Sequence, residues 1–183
     1  KTTTAYLVHS ALTALGVSTG LIGTVETRIG DERLDSVRTT PEAPELHSVL
    51  AVMAQRGLHT CVMEVSSHAL AQHRVDGVVY DVVLFTNLSQ DHLDFHAGMD
   101  DYFAAKASLF TPQRARRGLV CVDDDWGRRL AVEAGIPVET IATVHAGSQE
   151  AAPDADWLIT VDAVDPAAFR LAGPGVDLHL RSR

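Results

Sequence analysis

The feature that most constrains this chain is a rhythm: strand-like apolar runs alternate with stretches of helical spacing along most of its length. Residues 2–16 read as a helix, with Val8, Ala11, Leu12 and Leu15 on one face and Gly16 as its stop. "TGLIGTV" (19–25) reads as a strand, and 28–40 carries a Gly-Asp turn between extended residues, a weak hairpin signal. Pro41 opens a second helix over 42–57, with Leu46, Val49, Leu50 and Met53 on one face. "HTCVMEV" (59–65) is a strand, and "YDVVLFTN" (80–87) is another, apolar enough to be buried on both faces. A polar segment, 88–98, leads to a helix over 99–110, a strand at 118–122 and a helix at 125–134. Residues 138–144, 156–161 and 168–181 look strand-like, and 146–156 is a loop. This order predicts an α/β fold: a mostly parallel sheet flanked by helices, with a small antiparallel element toward the C-terminus. With 183 residues the chain is expected to form one domain, residues 1–183.

In open parallel sheets the chemistry gathers at the carboxyl ends of the strands. Three segments there are rich in reactive groups. The chain opens "KTTTAYLVHSAL". A Lys-Thr pair at the head of a helix is the tail of a phosphate-binding loop, in which Lys1 reaches phosphates and Thr2 holds Mg²⁺. No glycines precede Lys1 here, so the sequence reads as a piece excised from a longer protein. The bland alternative is a helix that begins with threonines.

The strand 59–65 ends in "MEVSSHALAQHRV". Glu64 is placed to hold Mg²⁺ beside a phosphate site. The alternative is an incidental acid before a helix capped by Ser66 or Ser67. Arg74 suits a carboxylate or a phosphate, or is an ordinary surface cation.

The strand 80–87 runs into "TNLSQDHLDFH", which crowds Asn87, Asp91, His92, Asp94 and His96 together. His92 and His96, four apart, also fit a zinc or iron hydrolase, although no His-Glu-x-x-His pattern is present.

The helix that leaves this loop carries an unusual cation. Of 15 basic residues only Lys1 and Lys106 are lysines. Lys106 lies among Ala104, Ala105, Ala107, Leu109 and Phe110. An amine can lose its proton and react, whereas a guanidinium keeps its charge. The plain alternative is a lysine that snorkels from an amphipathic helix.

Composition removes several classes. The net charge is −9, which argues against nonspecific nucleic-acid binding. A polyanionic substrate then needs metal ions or a local cluster of donors. No apolar run is long enough to span a membrane and no signal peptide is visible, so a cytoplasmic setting is expected. Cys61 and Cys121 sit in apolar strand-like runs and read as reduced core residues.

Taken together, "KTTT" (1–4), "TTPEA" (39–43), "EVSSHAL" (64–70), "QHRV" (72–75), "TNLSQDHLDFH" (86–96) and "YFAAKASLF" (102–110) resemble the Mur ligases in order and spacing. The resemblance covers nearly all of residues 1–135. "EVSSH" with "DHLD" is most similar to the branch that adds the third residue to the peptidoglycan precursor peptide. It implies a P-loop-type central ATP-binding domain, with flanking domains outside this sequence. It implies an ATP-dependent amide ligase that joins meso-diaminopimelate or L-lysine to UDP-N-acetylmuramoyl-L-alanyl-D-glutamate through an acyl phosphate.

The residue roles it implies are these. Lys1, Thr2 and Thr3 serve ATP. Thr2 and Glu64 bind one Mg²⁺, and His92 binds a second. Lys106 carries a carbamate derived from CO₂ and faces the metal. Asn87 supports the metal-phosphate site. Thr39, Thr40, Ser66, Gln72 and Arg74 contact the UDP-linked acceptor. The chain departs from the family pattern at Ala97, where a glycine is usual, and at Cys121, which takes the place of an asparagine before Asp123 and Asp124. Ala- and Arg-rich usage favours diaminopimelate over lysine. Folylpolyglutamate and cyanophycin synthetases share this central architecture and are the rival ligase readings. A metal-dependent hydrolase built on His92 and His96, or an inactive nucleotide-binding scaffold, are the rivals from other classes.

Overall fold

The computed structural model describes residues 1–90, 95–148 and 153–181. They fall into two compact units, Lys1–Val78 and Val79–Arg183.

The first unit contains α1 (Thr2–Ala14), β1 (Thr19–Ile22), β2 (Glu26–Ile29), β3 (Glu32–Asp35), α2 (Ala43–Gln55), β4 (Thr60–Met63) and α3 (Ser67–Ala71). Its sheet has the order β3-β2-β1-β4. β1 and β4 are parallel, with Leu21 opposite Val62 and Ile22 opposite Met63. Such a pair needs a long crossover, and α2 supplies it. The weak hairpin signal is a real hairpin, in which Glu26 pairs with Asp35 and Ile29 with Glu32. Gly30 takes the left-handed φ of 64° that its tight turn requires. Leu21, Ile22, Leu46 and Met53 form the core of this unit.

Two helix expectations shift. The buried stripe of α1 is Ala5 and His9, with Val8 and Leu12 half-buried, while Ala11 and Leu15 are exposed. The helical spacing holds, and the buried face lies about one residue round from the expected one, because a buried histidine carries no apolar signal. α2 begins after Glu42, with Pro44 rather than Pro41 in its first turn.

The second unit contains β5 (Tyr80–Phe85), α4 (Met99–Ala107), β6 (Ala115–Cys121), α5 (Asp125–Glu133), β7 (Val138–His145), β8 (Trp157–Val161), β9 (Ala168–Gly173) and β10 (Val176–Arg181). Its sheet order is β10-β9-β8-β7-β6-β5. β5 to β8 run parallel. β8, β9 and β10 are antiparallel, which is the expected C-terminal element. β5 is not buried on both faces: Val83 and Phe85 are buried, whereas Val82 is 49% and Leu84 43% exposed. Its side chains alternate between the two faces of the sheet, and only the face of Val83 and Phe85 is covered.

Both cysteines are free thiols and half-buried. Burial pushes the Cys61 thiol up to about 12. Among the described residues no helix is long and apolar enough to cross a membrane.

Candidate functional site

In the first unit the parallel strands β1 and β4 end side by side, and a carboxylate stands just past the end of β4. Glu64 is only 4% exposed. Its backbone N–H donates to the Ile22 carbonyl at 2.8 Å, which continues the β1–β4 ladder by one residue. Its side chain is held by neutral donors. Oε1 accepts from the Thr24 backbone N–H at 2.9 Å. Oε2 accepts from Thr2 Oγ1 at 2.9 Å and lies 3.3 Å from Thr24 Oγ1. A buried carboxylate costs several kcal/mol unless donors or cations compensate it, on the order of magnitude usual for buried ions. Here the partners among the described residues are a backbone amide and two hydroxyls, none of them charged.

Gly23 lets the backbone come this close. A Cβ at that position would stand 2.7 Å from Glu64 Oε1.

This donor set fits Mg²⁺. The ion is hard, takes oxygen ligands, and commonly uses one or two protein groups with water and phosphate filling the rest. Thr2 and Glu64 offer a hydroxyl and a carboxylate in contact. No group of three His, Cys, Asp or Glu side chains placed for a metal occurs among the described residues. Lys1 is the N-cap residue of α1, with no side-chain cap and no acidic residue in the first turn. The unpaired N–H groups of a helix start attract an anion. Lys1 and Thr3 are exposed there.

A second cluster adjoins Glu64. Thr40 is buried, and its hydroxyl donates to the Glu64 carbonyl at 3.0 Å while accepting from the Ser66 backbone N–H at 3.1 Å. Ser66 caps α3, its hydroxyl accepting from the Ala69 N–H at 3.1 Å. The capping alternative for Ser66 therefore holds as well. Thr39 Oγ1 lies 3.1 Å from Thr24 Oγ1.

α3 closes with paired bonds from His73 N–H to the Leu70 carbonyl and from Arg74 N–H to the Ala69 carbonyl. His73 adopts a left-handed φ of 59° where glycine is usual. A non-glycine residue there is strained by about 1–2 kcal/mol. This cap turns the chain so that Arg74 Nη1 donates to the Thr40 carbonyl at 3.2 Å and Nη2 bonds Gln72 Oε1. Glu42 reaches the same guanidinium at 3.2 Å. Burial, helped by the nearby Arg38 guanidinium, lowers the pKa of Arg74 from its usual value.

The other proposed residues belong to the second unit. Asn87 is exposed just after β5. The loop that carries it is tied down by Asp124. Asp124 Oδ2 accepts from the Leu88 N–H at 3.1 Å, and Oδ1 caps α5 through the Gly127 N–H at 2.7 Å. Asp123 Oδ1 accepts from the Thr143 N–H at 2.7 Å. Lys106 is half-buried in the last turn of α4, its Nζ 5.0 Å from the centre of the Tyr102 ring. Tyr102 is also stacked on His96, whose Nδ1 is 3.1 Å from Asp101 Oδ2. His96 is buried in this aromatic packing. Asp91, His92 and Asp94 lie outside the described residues, so the placement of His92 is not part of this geometry.

The structure thus joins Thr2, Thr39, Thr40, Glu64, Ser66, Gln72 and Arg74 in one hydrogen-bonded neighbourhood. Thr24 belongs to it too, and sequence reading missed it. Strand β1 ends at Ile22, so Thr24 follows a strand, where the carboxyl-end rule looks for function. The strand-like run of 19–25 hides it.

The profile of the Mur ligase middle domain matches residues 1–163. The chain belongs to the Mur ligase family. Within curated Mur ligases it is 56% identical over 176 residues to UDP-N-acetylmuramoyl-L-alanyl-D-glutamate–2,6-diaminopimelate ligase of Streptomyces coelicolor, covering 95% of this chain and 33% of that one. It is 50% identical over 177 residues to UDP-N-acetylmuramyl-tripeptide synthetase of Leifsonia xyli, covering 96% of this chain and 33% of that one. A solved UDP-N-acetylmuramoyl-L-alanyl-D-glutamate–2,6-diaminopimelate ligase superposes with a TM-score of 0.75 at 23% identity, over 97% of this chain and 36% of that one. This last likeness speaks for the Mur ligase fold. The chain spans about a third of the length of the curated relatives it matches.

Proposed function

We propose that residues 1–183 are the central ATP-binding domain of a tripeptide-forming Mur ligase. The reaction joins a diamino acid, meso-diaminopimelate in preference to L-lysine, to UDP-N-acetylmuramoyl-L-alanyl-D-glutamate in peptidoglycan synthesis. The setting is cytoplasmic, where ATP and the UDP-linked acceptor are found together. The observation that carries the reading is the buried Glu64 carboxylate in contact with Thr2 at the head of α1. It places an oxygen-rich acid beside an uncapped helix start, which suits a nucleotide triphosphate. The 56% identity to the 2,6-diaminopimelate ligase of Streptomyces coelicolor, over 95% of this chain, supports the choice of branch.

In the first step an oxygen of the acceptor's free carboxylate attacks the γ-phosphorus of ATP. The bond from that phosphorus to the bridging oxygen breaks, and ADP leaves with an acyl phosphate remaining. In the second step the amine of the diamino acid attacks the acyl carbon, releases phosphate and loses a proton. The obstacle in the first step is the approach of one anion to another. Mg²⁺ held by Thr2 and Glu64, and a second ion by His92 and the Lys106 carbamate, would supply the neutralising charge. The chain's own residues do the positioning. Lys1, Thr2 and Thr3 at the helix start receive the phosphates. Thr39, Thr40, Ser66, Gln72 and Arg74 hold the acceptor so that its carboxylate lies in line. Asn87 steadies the metal-phosphate site from the loop that Asp124 anchors.

Lys106 reacts as the neutral amine. Its nitrogen bonds the carbon of CO₂, one proton is released, and a carbamate anion remains. Arginine cannot be converted in this way.

The test is an acceptor comparison in the intact protein. ADP release with ATP, Mg²⁺ and meso-diaminopimelate is expected with UDP-N-acetylmuramoyl-L-alanyl-D-glutamate and not with folate. L-lysine should support it far less well than diaminopimelate. ADP release with folate, or none with the muramoyl acceptor, would refute the proposal.

A further inference from the structure

We infer that Tyr6, Glu26 and Arg28 form a clamp that positions Thr2 against Glu64, and that the metal affinity of the site depends on it. This rests on the reading of Thr2 and Glu64 as the pair that holds Mg²⁺. The three residues act through Thr2 and are positioning residues, not ligands.

The clamp begins on α1. Thr2 and Tyr6 are four residues apart, so they lie on one side of the helix, about one turn from each other. Each sends a hydroxyl to a carboxylate. Thr2 Oγ1 donates to Glu64 Oε2 at 2.9 Å, and Tyr6 OH donates to Glu26 Oε1 at 2.7 Å. Burial of Ala5 and His9 seats the helix, but apolar contact is non-directional. Rotation of the helix by one residue's worth would swing Thr2 through about 100°. Two hydrogen bonds at different heights on one side oppose both that rotation and any slide along the axis. The first turn has no side-chain cap to stiffen it, so it gains most from a tie one turn further in.

Glu26 is itself held. Its Oε1 also accepts from Arg28 Nε at 2.7 Å, and Arg28 Nη2 lies 2.5 Å from the same oxygen. The Arg28 guanidinium stands 5.1 Å from the centre of the Tyr6 ring, so it touches both members of the bond it supports. Glu26 and Arg28 are two apart on β2 and therefore share a face of the sheet. Their side chains are 14% and 21% exposed, which shields the pair from the screening that weakens an open surface pair. The Tyr6 bond and the Arg28 guanidinium hold the Glu26 carboxyl below its usual range. Burial and the Glu26 bond raise the Tyr6 hydroxyl above its own. Near neutral pH the acid is ionised and the phenol donates.

The main chain of Glu26 closes a second arm. Its carbonyl accepts from the Gly23 N–H at 3.2 Å, which closes the β1–β2 hairpin on Thr24 and Val25. The Thr24 N–H at that tip reaches Glu64 Oε1 at 2.9 Å. Thr2 and Thr24, the two residues that donate to Glu64, thus both trace back to Glu26.

Magnesium makes the positioning matter. It demands near-ideal octahedral geometry at about 2.0–2.1 Å, which sets neighbouring ligand oxygens roughly 2.9 Å apart. Thr2 Oγ1 and Glu64 Oε2 already stand at 2.9 Å. The clamp keeps that spacing, so a metal need not first draw the helix into place.

The test reads metal binding rather than turnover. Mn²⁺ is titrated into the intact protein with one equivalent of ADP, and free Mn²⁺ is followed by electron paramagnetic resonance. ADP chelates Mn²⁺ equally in every variant, so it cannot produce a difference. Tyr6→Phe keeps the ring over Arg28 and removes the hydroxyl. It is expected to weaken Mn²⁺ binding roughly fivefold, within the range of coupling between neighbouring residues. In a Thr2→Val background the same change should have no further effect, because the hydroxyl that the clamp positions is gone. A general loosening of the fold would instead weaken binding by the same factor in both backgrounds. Glu26→Ala removes the acceptor of the same bond and must show the same dependence on Thr2, which gives a second reading if Tyr6→Phe lowers the melting temperature.

Wild-type Mn²⁺ affinity in Tyr6→Phe and Glu26→Ala, or an equal loss with and without the Thr2 hydroxyl, would overturn the inference. Thr2→Val alone separates the two levels. If it weakens Mn²⁺ binding while the clamp variants do not, only the clamp fails. If it keeps wild-type Mn²⁺ affinity, the assignment of Thr2 as a ligand fails and the clamp falls with it.

Discussion

Replacing Lys106 with arginine in the intact protein is expected to lower ligation by about 10³-fold or more, a range typical of removing a charge that acts on a transferring phosphoryl group. The substitution keeps a cation of similar length on the last turn of α4. It also keeps the aromatic contact, since a guanidinium stacks on a ring at least as well as an ammonium does on Tyr102. What it removes is an amine able to take up CO₂. A role in packing or surface charge therefore predicts near-normal activity, and a carbamate predicts almost none. The assay is run at saturating bicarbonate, so that incomplete carbamylation cannot lower the wild-type reference. Full activity of Lys106→Arg under those conditions would remove the carbamate from the mechanism. The melting temperature should stay near the wild-type value, because the side chain is only half-buried.

Glu64→Gln is expected to lower kcat by roughly 10²–10³-fold and to raise the Mg²⁺ concentration needed for half-maximal turnover at least about tenfold. The size follows from the loss of a charged ligand at a site with few protein donors. The sign of the stability change sharpens the test. Glu64 is a buried anion whose described partners are neutral. Replacing it with a neutral isostere removes a desolvation penalty and leaves one amide oxygen to accept from Thr24 or Thr2. Stability should therefore hold or rise while activity collapses, a trade-off common at functional sites. An unchanged Mg²⁺ titration, or a strong loss of stability with kcat preserved, would mark Glu64 as a structural acid.

Much of this architecture can be read from the chain because local and global signals agree. The parallel strands are runs of apolar residues, and the turns carry glycine where the backbone needs a positive φ, as at Gly30. The misses have physical causes. β5 reads as buried on both faces because Val82 and Leu84 are as apolar as Val83 and Phe85. Nothing in a valine tells whether a packed layer or solvent lies beyond it. The face of α1 is misread because His9, a polar residue by type, is buried.

The site divides in the same way. Glu64 and Thr2 stand out because the first follows a strand and the second begins a helix, in a sequence with few reasons to place such groups there. Thr24 does not stand out, since one threonine after glycine resembles any other loop residue. Its meaning comes only from the carboxylate that the fold brings beside it, from a position 40 residues further along the chain. The left-handed His73 is hidden for a related reason: a helix cap at that point announces itself in sequence by glycine, and here the chain uses histidine.

On the proposed reading, Thr2 and Glu64 form the magnesium end of an ATP site. Anomalous diffraction from crystals of the intact protein grown with ADP and Mn²⁺ tests it most directly. One manganese peak is expected within about 2.2 Å of both the Glu64 carboxylate and the Thr2 hydroxyl, the spacing of a hard ion on oxygen ligands. Manganese bound to the nucleotide but remote from Glu64, with that carboxylate still held only by Thr2 and Thr24, would contradict it.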